Sequence, residues 1–148
     1  MLEIKDLYVN YGNLQIIQGV SMTVKDGEMI SLVGSNGAGK TTLLKAISGI
    51  KSVNGGSIIF DGVDLTRLSA PKIVEQGVVQ VPEGRKLFPD MTVQENLELG
   101  SYLKGPKAKR KDTLEYVYSM MPDLEIKAKQ PAGSLSGGQQ QMVAIGRG

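Results

Sequence analysis

The chain has no histidine, no cysteine and no tryptophan among its 148 residues. Without histidine a Ser-His-Asp triad is excluded, and without either histidine or cysteine so are zinc-finger, haem and thiol-protease sites. Any chemistry must come from carboxylates, lysines, hydroxyls and backbone amides. The lack of cysteine also fits a reducing compartment. Excess charge of one sign is missing too. The 17 Lys and Arg against 15 Asp and Glu leave a formal net charge of +2, too little for a nucleic-acid surface, which relies on clustered cations. The one dense basic cluster, KAKRK at 107–111, reads as the solvated start of a helix. No apolar run reaches the roughly 18 residues of a membrane span, and the opening MLEIKDLYVN alternates charge with apolar side chains where a signal peptide has an apolar core.

What is abundant is glycine, 19 residues, beside 41% apolar residues. That apolar share can supply the core of one domain of this length. Leu2, Ile4 and Leu7 interleave with Glu3, Lys5 and Asp6, and Val20, Met22 and Val24 alternate with Ser21, Thr23 and Lys25. This period of two predicts half-buried antiparallel strands. After a turn at Lys25-Asp26-Gly27-Glu28, the run MISLVG at 29–34 predicts a central strand covered on both faces. A helix follows over 41–48, stopped by Gly49. GGSIIFDG at 55–62 predicts a short strand pair, 69–76 a short helix with Pro71 near its first turn, and GVVQV at 77–81 another buried strand. From Asp90 the pattern turns helical. Thr92-Val93-Gln94-Glu95 fits a capping box. Leu114, Val117, Tyr118 and Met121 mark one face of a helix over 107–121 that Pro122 ends. Gly138 to the terminus is helix-like, and the chain stops inside that pattern, which suggests truncation.

Two strings carry chemistry. GSNGAGKT at 34–41 matches G-x-x-x-x-G-K-[ST], placed after a predicted strand and before a predicted helix. Gly34, Gly37 and Gly39 allow positive φ and close approach of backbone to an anion. The amides of Ser35, Asn36, Ala38 and Gly39, with the following helix N-terminus, converge on a phosphate, and the Lys40 ammonium bridges β- and γ-oxygens. Thr41 Oγ is placed to ligate Mg²⁺, and Thr42 to reach the α-phosphate. The second string is LSGGQ at 135–139. Ser136, Gly137, Gly138 and Gln139 at a helix start again offer unobstructed amides, a hydroxyl and a dipole end, suited to a γ-phosphate. Two cradles in one chain make sense if each nucleotide is held between the first cradle of one subunit and the second of another.

These strings together, with MLEIKDLYVNYG, GVSMTVKDGEMISLVG, FPDMTVQENL and LSGGQQQMVAIGRG around them, resemble the ATP-binding-cassette family over essentially the whole chain. The resemblance implies an α/β fold. It would have a P-loop NTPase core and N-terminal antiparallel β subdomain (1–88), a helical insertion (89–132), the signature motif with the start of its helix (133–148), and an incomplete C-terminal part. It implies ATP and Mg²⁺ as cofactors, with Tyr11 stacking on adenine and Tyr8 as a weaker rival. Where the family usually carries a Gln that touches Mg²⁺ and the attacking water, VPEGRKLFP places Glu83, a carboxylate that can still ligate a hard cation and accept a proton. Lys40 and Glu83 are thus the catalytic candidates, and Thr41 and Glu83 the metal ligands.

This VPEGR variant is similar to the smaller ATPase of branched-chain amino-acid importers. The implied partners are a second cassette, two membrane permeases and, indirectly, a solute-binding protein, at the cytoplasmic face of the membrane. Leu87, Phe88 and Met91 are candidates for the permease contact. An importer of another solute, a soluble cassette ATPase without transport, and a nucleotide-dependent dimerisation module are the rival readings. The family's Asp-Glu strand and switch His find no match in the 148 residues. The expectation is therefore that the isolated polypeptide binds Mg-ATP weakly, does not turn it over, and exposes an open sheet edge that favours aggregation.

Overall fold

The computed structural model describes residues 1–102 and 109–148. They form two compact units, Met1–Val79 and Gln80–Gly148.

In the first unit β1 (Leu2–Tyr11) pairs antiparallel with β2 (Leu14–Val24) on one side and with β3 (Gly55–Phe60) on the other, and β3 continues to β4 (Val63–Asp64), giving the order β2-β1-β3-β4. The predicted alternation holds with one phase change. Ile4 is buried, and then so are Leu7 and Val9. The register shifts between Ile4 and Leu7 against β2, where Asp6 takes φ 44 and its amide donates to Ser21 Oγ at 2.8 Å. One extra residue at such a bulge returns the next apolar side chain to the covered face. The Asp61-Gly62 pair closes the β3–β4 hairpin with φ values of 46 and 83, the positive pair that a two-residue turn between twisted strands favours.

Helix α1 (Lys40–Ile47) lays Leu43 and Ala46 into the core with Ile4, Leu7, Val9, Ile17, Ile58, Leu65 and Ile73, the last from α2 (Ala70–Glu75). Each such aliphatic side chain contributes about 1.5–3 kcal/mol when fully buried. Gly49 ends α1 with φ 70, and Pro71 sits in the first turn of α2, both as expected.

Two expectations fail. Residues 29–33 and 77–81 lie outside any strand; Met29 is 93% and Val33 94% exposed, and Val79 and Val81 are exposed as well. An apolar run becomes a covered strand only when neighbouring ladders satisfy its amides on both sides. Among the described residues the one sheet is β2-β1-β3-β4, which does not take these segments in.

The second unit is helical. Its elements are α3 (Val93–Glu98), α4 (Arg110–Met120), α5 (Pro122–Ile126) and α6 (Gly137–Arg147). Val93, Leu97, Leu124, Leu135 and Val143 form its core, flanked by Leu114, Val117, Tyr118 and Met121. The capping box at α3 is present in both directions: Thr92 Oγ1 accepts from the Glu95 amide, and Glu95 Oε2 accepts from the Thr92 amide. The Thr92 amide, and then its hydroxyl, hold the Glu95 carboxyl below the usual glutamate range. The helix predicted over 107–121 starts at Arg110 as described, and its residues 107 and 108 lie outside the described residues. Pro122 ends it by opening α5.

Candidate nucleotide site

The segment 34–39 turns from unassigned backbone into α1. Gly37 and Gly39 take φ 88 and 87, conformations that cost an L side chain about 1–2 kcal/mol. Gly34 does not share them, contrary to expectation. A Cβ there would meet Ala38 Cβ at 3.1 Å, so the loop's closeness and not its dihedral favours glycine at that position. The Ala38 amide donates to the Ser35 carbonyl at 3.2 Å and closes the loop. Gly39 is the N-cap of α1 and supplies no capping side chain, which leaves the first-turn amides uncapped by any side chain at the helix's positive end. Lys40 Nζ folds back across the loop and donates to the carbonyls of Gly34 and Ser35, both at 2.8 Å. Thr41 is exposed on the first turn and Thr42 half-buried. A glycine-rich bend, uncapped amides and one ammonium form an anion site of the type that favours phosphate.

Tyr11 stands exposed at the end of β1, with Lys51 Nζ 4.5 Å from its ring centroid. Tyr8 instead lies along the sheet, where a Cβ on Gly19 would meet its hydroxyl at 2.9 Å and one on Gly55 would meet its ring at 3.4 Å. Both rings are exposed, Tyr8 at 39% and Tyr11 at 45%, with Tyr8 set against the two glycines and Tyr11 beneath the Lys51 ammonium.

In the second unit Ser136 caps α6 by a second reciprocal box with Gln139, and Gly138 faces open space. Gly137 does not. Its missing Cβ would stand 3.1 Å from Arg85 Nη2. Glu83 is exposed on the turn that leads to Arg85. Gly84, Arg85 and Lys86 then take φ values of 74, 63 and 50 in succession, the last two in a region costly for ordinary residues.

The fold resists this strain through contacts that local pattern did not reveal. Arg147 Nη2 donates to the carbonyls of Arg85 and Lys86 at 3.2 and 2.9 Å, and its guanidinium lies 6.0 Å from the Phe88 ring. Arg85 Nη1 donates to Gln140 Oε1 at 3.2 Å. Asn96, fully buried, accepts from the Phe88 amide and donates to the carbonyls of Phe88, Met91 and Thr92. Leu87 and Met91 are half-buried and Phe88 is half exposed.

The structure therefore joins residues 34–42 in one loop and helix start, with Tyr11 in the same unit. It joins Glu83 and Ser136 to Gln139 in the other.

Comparison with known proteins shows the family and the fold. The sequence model of the ABC transporter family matches residues 17–148. The high-affinity branched-chain amino acid transport ATP-binding protein BraG of Pseudomonas aeruginosa is 40% identical over 147 residues, 99% of this chain and 63% of its own length. The probable branched-chain amino acid transport ATP-binding protein LivF of Archaeoglobus fulgidus is 34% identical over 98% of this chain and 61% of its own length. The spermidine/putrescine import ATP-binding protein PotA of Haemophilus ducreyi is 37% identical over 99% of this chain and 39% of its own length. Among solved structures, a nucleotide-free ATP-binding cassette from an ABC transporter superposes with a TM-score of 0.83 at 28% identity, over 99% of this chain and 63% of that one. A dimeric bacterial ABC transporter cassette does so with 0.77 at 29%, over 99% of this chain and 68% of that one. The chain thus spans less than two thirds of the length of the curated relatives it matches.

Proposed function

The chain belongs to the ABC transporter family of ATP-binding subunits, and on that premise we propose that it is the ATP-binding part of an importer of branched-chain amino acids. The observation that carries the nucleotide reading is the bend at Gly37 and Gly39, which leaves the amides of α1 uncapped beside the Lys40 ammonium. Ser35, Asn36, Ala38 and the three loop glycines supply backbone to the phosphates. Lys40 exchanges its two carbonyl partners for β- and γ-oxygens, and Thr42 reaches the α-phosphate. The exposed Tyr11 ring offers adenine a flat apolar face once the Lys51 ammonium over it moves aside or the base takes the opposite face.

Thr41 presents an exposed hydroxyl on the first turn of α1, a hard oxygen that fits Mg²⁺, and in the other unit Glu83 presents an exposed carboxylate, a candidate ligand of the same hard type. When bound, the ion neutralises charge on the β- and γ-phosphates. Ser136, Gly137, Gly138 and Gln139 serve the nucleotide of a second cassette in a nucleotide-sandwich dimer. Two membrane permeases and a solute-binding protein complete the importer, which works at the cytoplasmic face of the membrane. No described helix is long and apolar enough to cross a membrane. The branched-chain reading is supported by BraG and LivF. The 37% identity with PotA supports a second reading, in which the solute is a different small molecule.

Nuclear magnetic resonance of the chain titrated with Mg-ATP tests the nucleotide reading, because amide shifts report even millimolar binding. Amides of 34–42 move, and Lys40→Ala weakens the response at least tenfold, the loss expected for a bond between charged partners. Still amides at 34–42, or an unaffected Lys40→Ala titration, refute it. Solute is read separately, by uptake of labelled leucine or polyamine in cells that express the full transporter.

A further inference from the structure

We propose that Arg85 is a positioning residue for the signature segment: it fixes the Glu83 turn to the first turn of α6, so that the Ser136–Gly138 amides meet a γ-phosphate already ordered. The proposal rests on the nucleotide reading above and adds a residue to it. Four sets of contacts carry it. Arg85 Nη2 lies against Gly137, at 3.1 Å from where a Cβ would be, and Arg85 Nη1 donates to Gln140 at 3.2 Å. Gln140 Nε2 in turn lies 3.3–3.5 Å from the carbonyls of Ala132, Gly133 and Leu135, the stretch that delivers Ser136. Arg147, from the far end of the same helix, holds the Arg85 and Lys86 carbonyls.

The geometry explains why an arginine is needed. A planar guanidinium bonds Gln140 with one nitrogen while a second rests on Gly137, a two-point reach that a lysine ammonium lacks. It also explains the backbone. With Arg85 and Lys86 left-handed at φ 63 and 50, both carbonyls are available to Arg147. The turn and the helix are thereby tied at both ends of α6, through contacts that involve neither Ser136 Oγ nor the free amides of Gly137 and Gly138.

Arg85→Ala, Arg85→Lys and the unaltered chain are compared by amide shifts under ADP and ATP, and by hydrogen exchange without nucleotide. In Arg85→Ala the response of 34–42 and the ADP affinity stay as they are, whereas the ATP-dependent response at 136–139 weakens about tenfold, the scale of one bond to a charged group. Exchange at 132–139 quickens by a similar factor, with β1 to β3 unchanged. Arg85→Lys recovers only part. An unchanged 136–139 response in Arg85→Ala, a uniform loss across both units, or full recovery with lysine overturns the proposal. If 34–42 of the unaltered chain ignores every nucleotide, the nucleotide reading falls, and with it the γ-phosphate role; the exchange arm then judges the clamp alone. If Arg85→Ala fails to fold by circular dichroism, Arg85→Met, which keeps an aliphatic stem and loses the guanidinium, takes its place with the same expected results.

Discussion

Replacement of Asn96 by alanine gives the sharpest test of how the second unit is held. The side chain is fully buried and touches the turn ahead of α3 at four points. These are not equal. The Phe88 carbonyl also accepts from the Met91 amide at 3.2 Å, the Met91 carbonyl from the Ala132 amide at 2.9 Å, and the Thr92 carbonyl from the Asn96 amide at 3.0 Å. Those three oxygens keep a donor after truncation. Only the Phe88 N–H, which gives its proton to Asn96 Oδ1 at 3.0 Å, is orphaned. One stranded, part-buried donor costs about 1–3 kcal/mol, and the lost secondary bonds with a small cavity add about 1 kcal/mol more. The expected loss is therefore about 2–4 kcal/mol, against about 3–10 kcal/mol for a unit of this size.

Aspartate should do worse at neutral pH. It retains an acceptor for Phe88 but aims a second oxygen at three carbonyls within 3.0–3.3 Å of the present nitrogen. Urea unfolding, followed by amide resonances of α3 and α6, measures both. A loss below 0.5 kcal/mol for Asn96→Ala, or Asn96→Asp milder than Asn96→Ala at pH 7, would refute the reasoning.

Gly39→Ala forces an L residue to φ 87 and sets a Cβ 2.8 Å from Ile17 Cδ1, a flexible end that can turn aside. It should cost the first unit about 2–3 kcal/mol in urea and abolish the ATP response of 34–42. Tyr118→Phe removes a buried hydroxyl without a hydrogen-bond partner, and should leave thermal stability unchanged or raise it by up to about 1 kcal/mol by calorimetry. Glu95 has a folded pKa below its ordinary value. Its contribution is therefore complete above the unfolded value of about 4.3 and is lost as pH falls through the lower folded value. Acid titration of the second unit should show this as a falling slope that Glu95→Gln flattens.

Features closed over short distances were legible in the residues. Both the alternation of β1 and the capping box at Thr92 depend on neighbours two to three positions apart. Even the phase change at Asp6 is visible in hindsight as Ile4 followed by Leu7. The loop at 34–41 was legible for the same reason, apart from the dihedral assigned to Gly34. MISLVG misled because its apolar character states a preference for burial, whereas a strand also needs partners elsewhere in the chain. The Arg85–Gln140 and Arg147–Arg85 contacts bridge 55 and 62 residues, and no local periodicity encodes them. Asn96 was hidden differently: an asparagine in a helix pattern reads as a surface residue until the turn it serves is seen.

The left-handed pair at 85 and 86 sets two demands on one position. The main chain of Arg85 would be easier as glycine, while its side chain must remain arginine, so relaxing one degrades the other. Such local frustration survives only where the arrangement is worth more to the assembly than to the isolated fold. Lys86 bears the dihedral without a comparable side-chain duty, since only its carbonyl meets Arg147. Tolerance to change should therefore differ sharply between two adjacent cations.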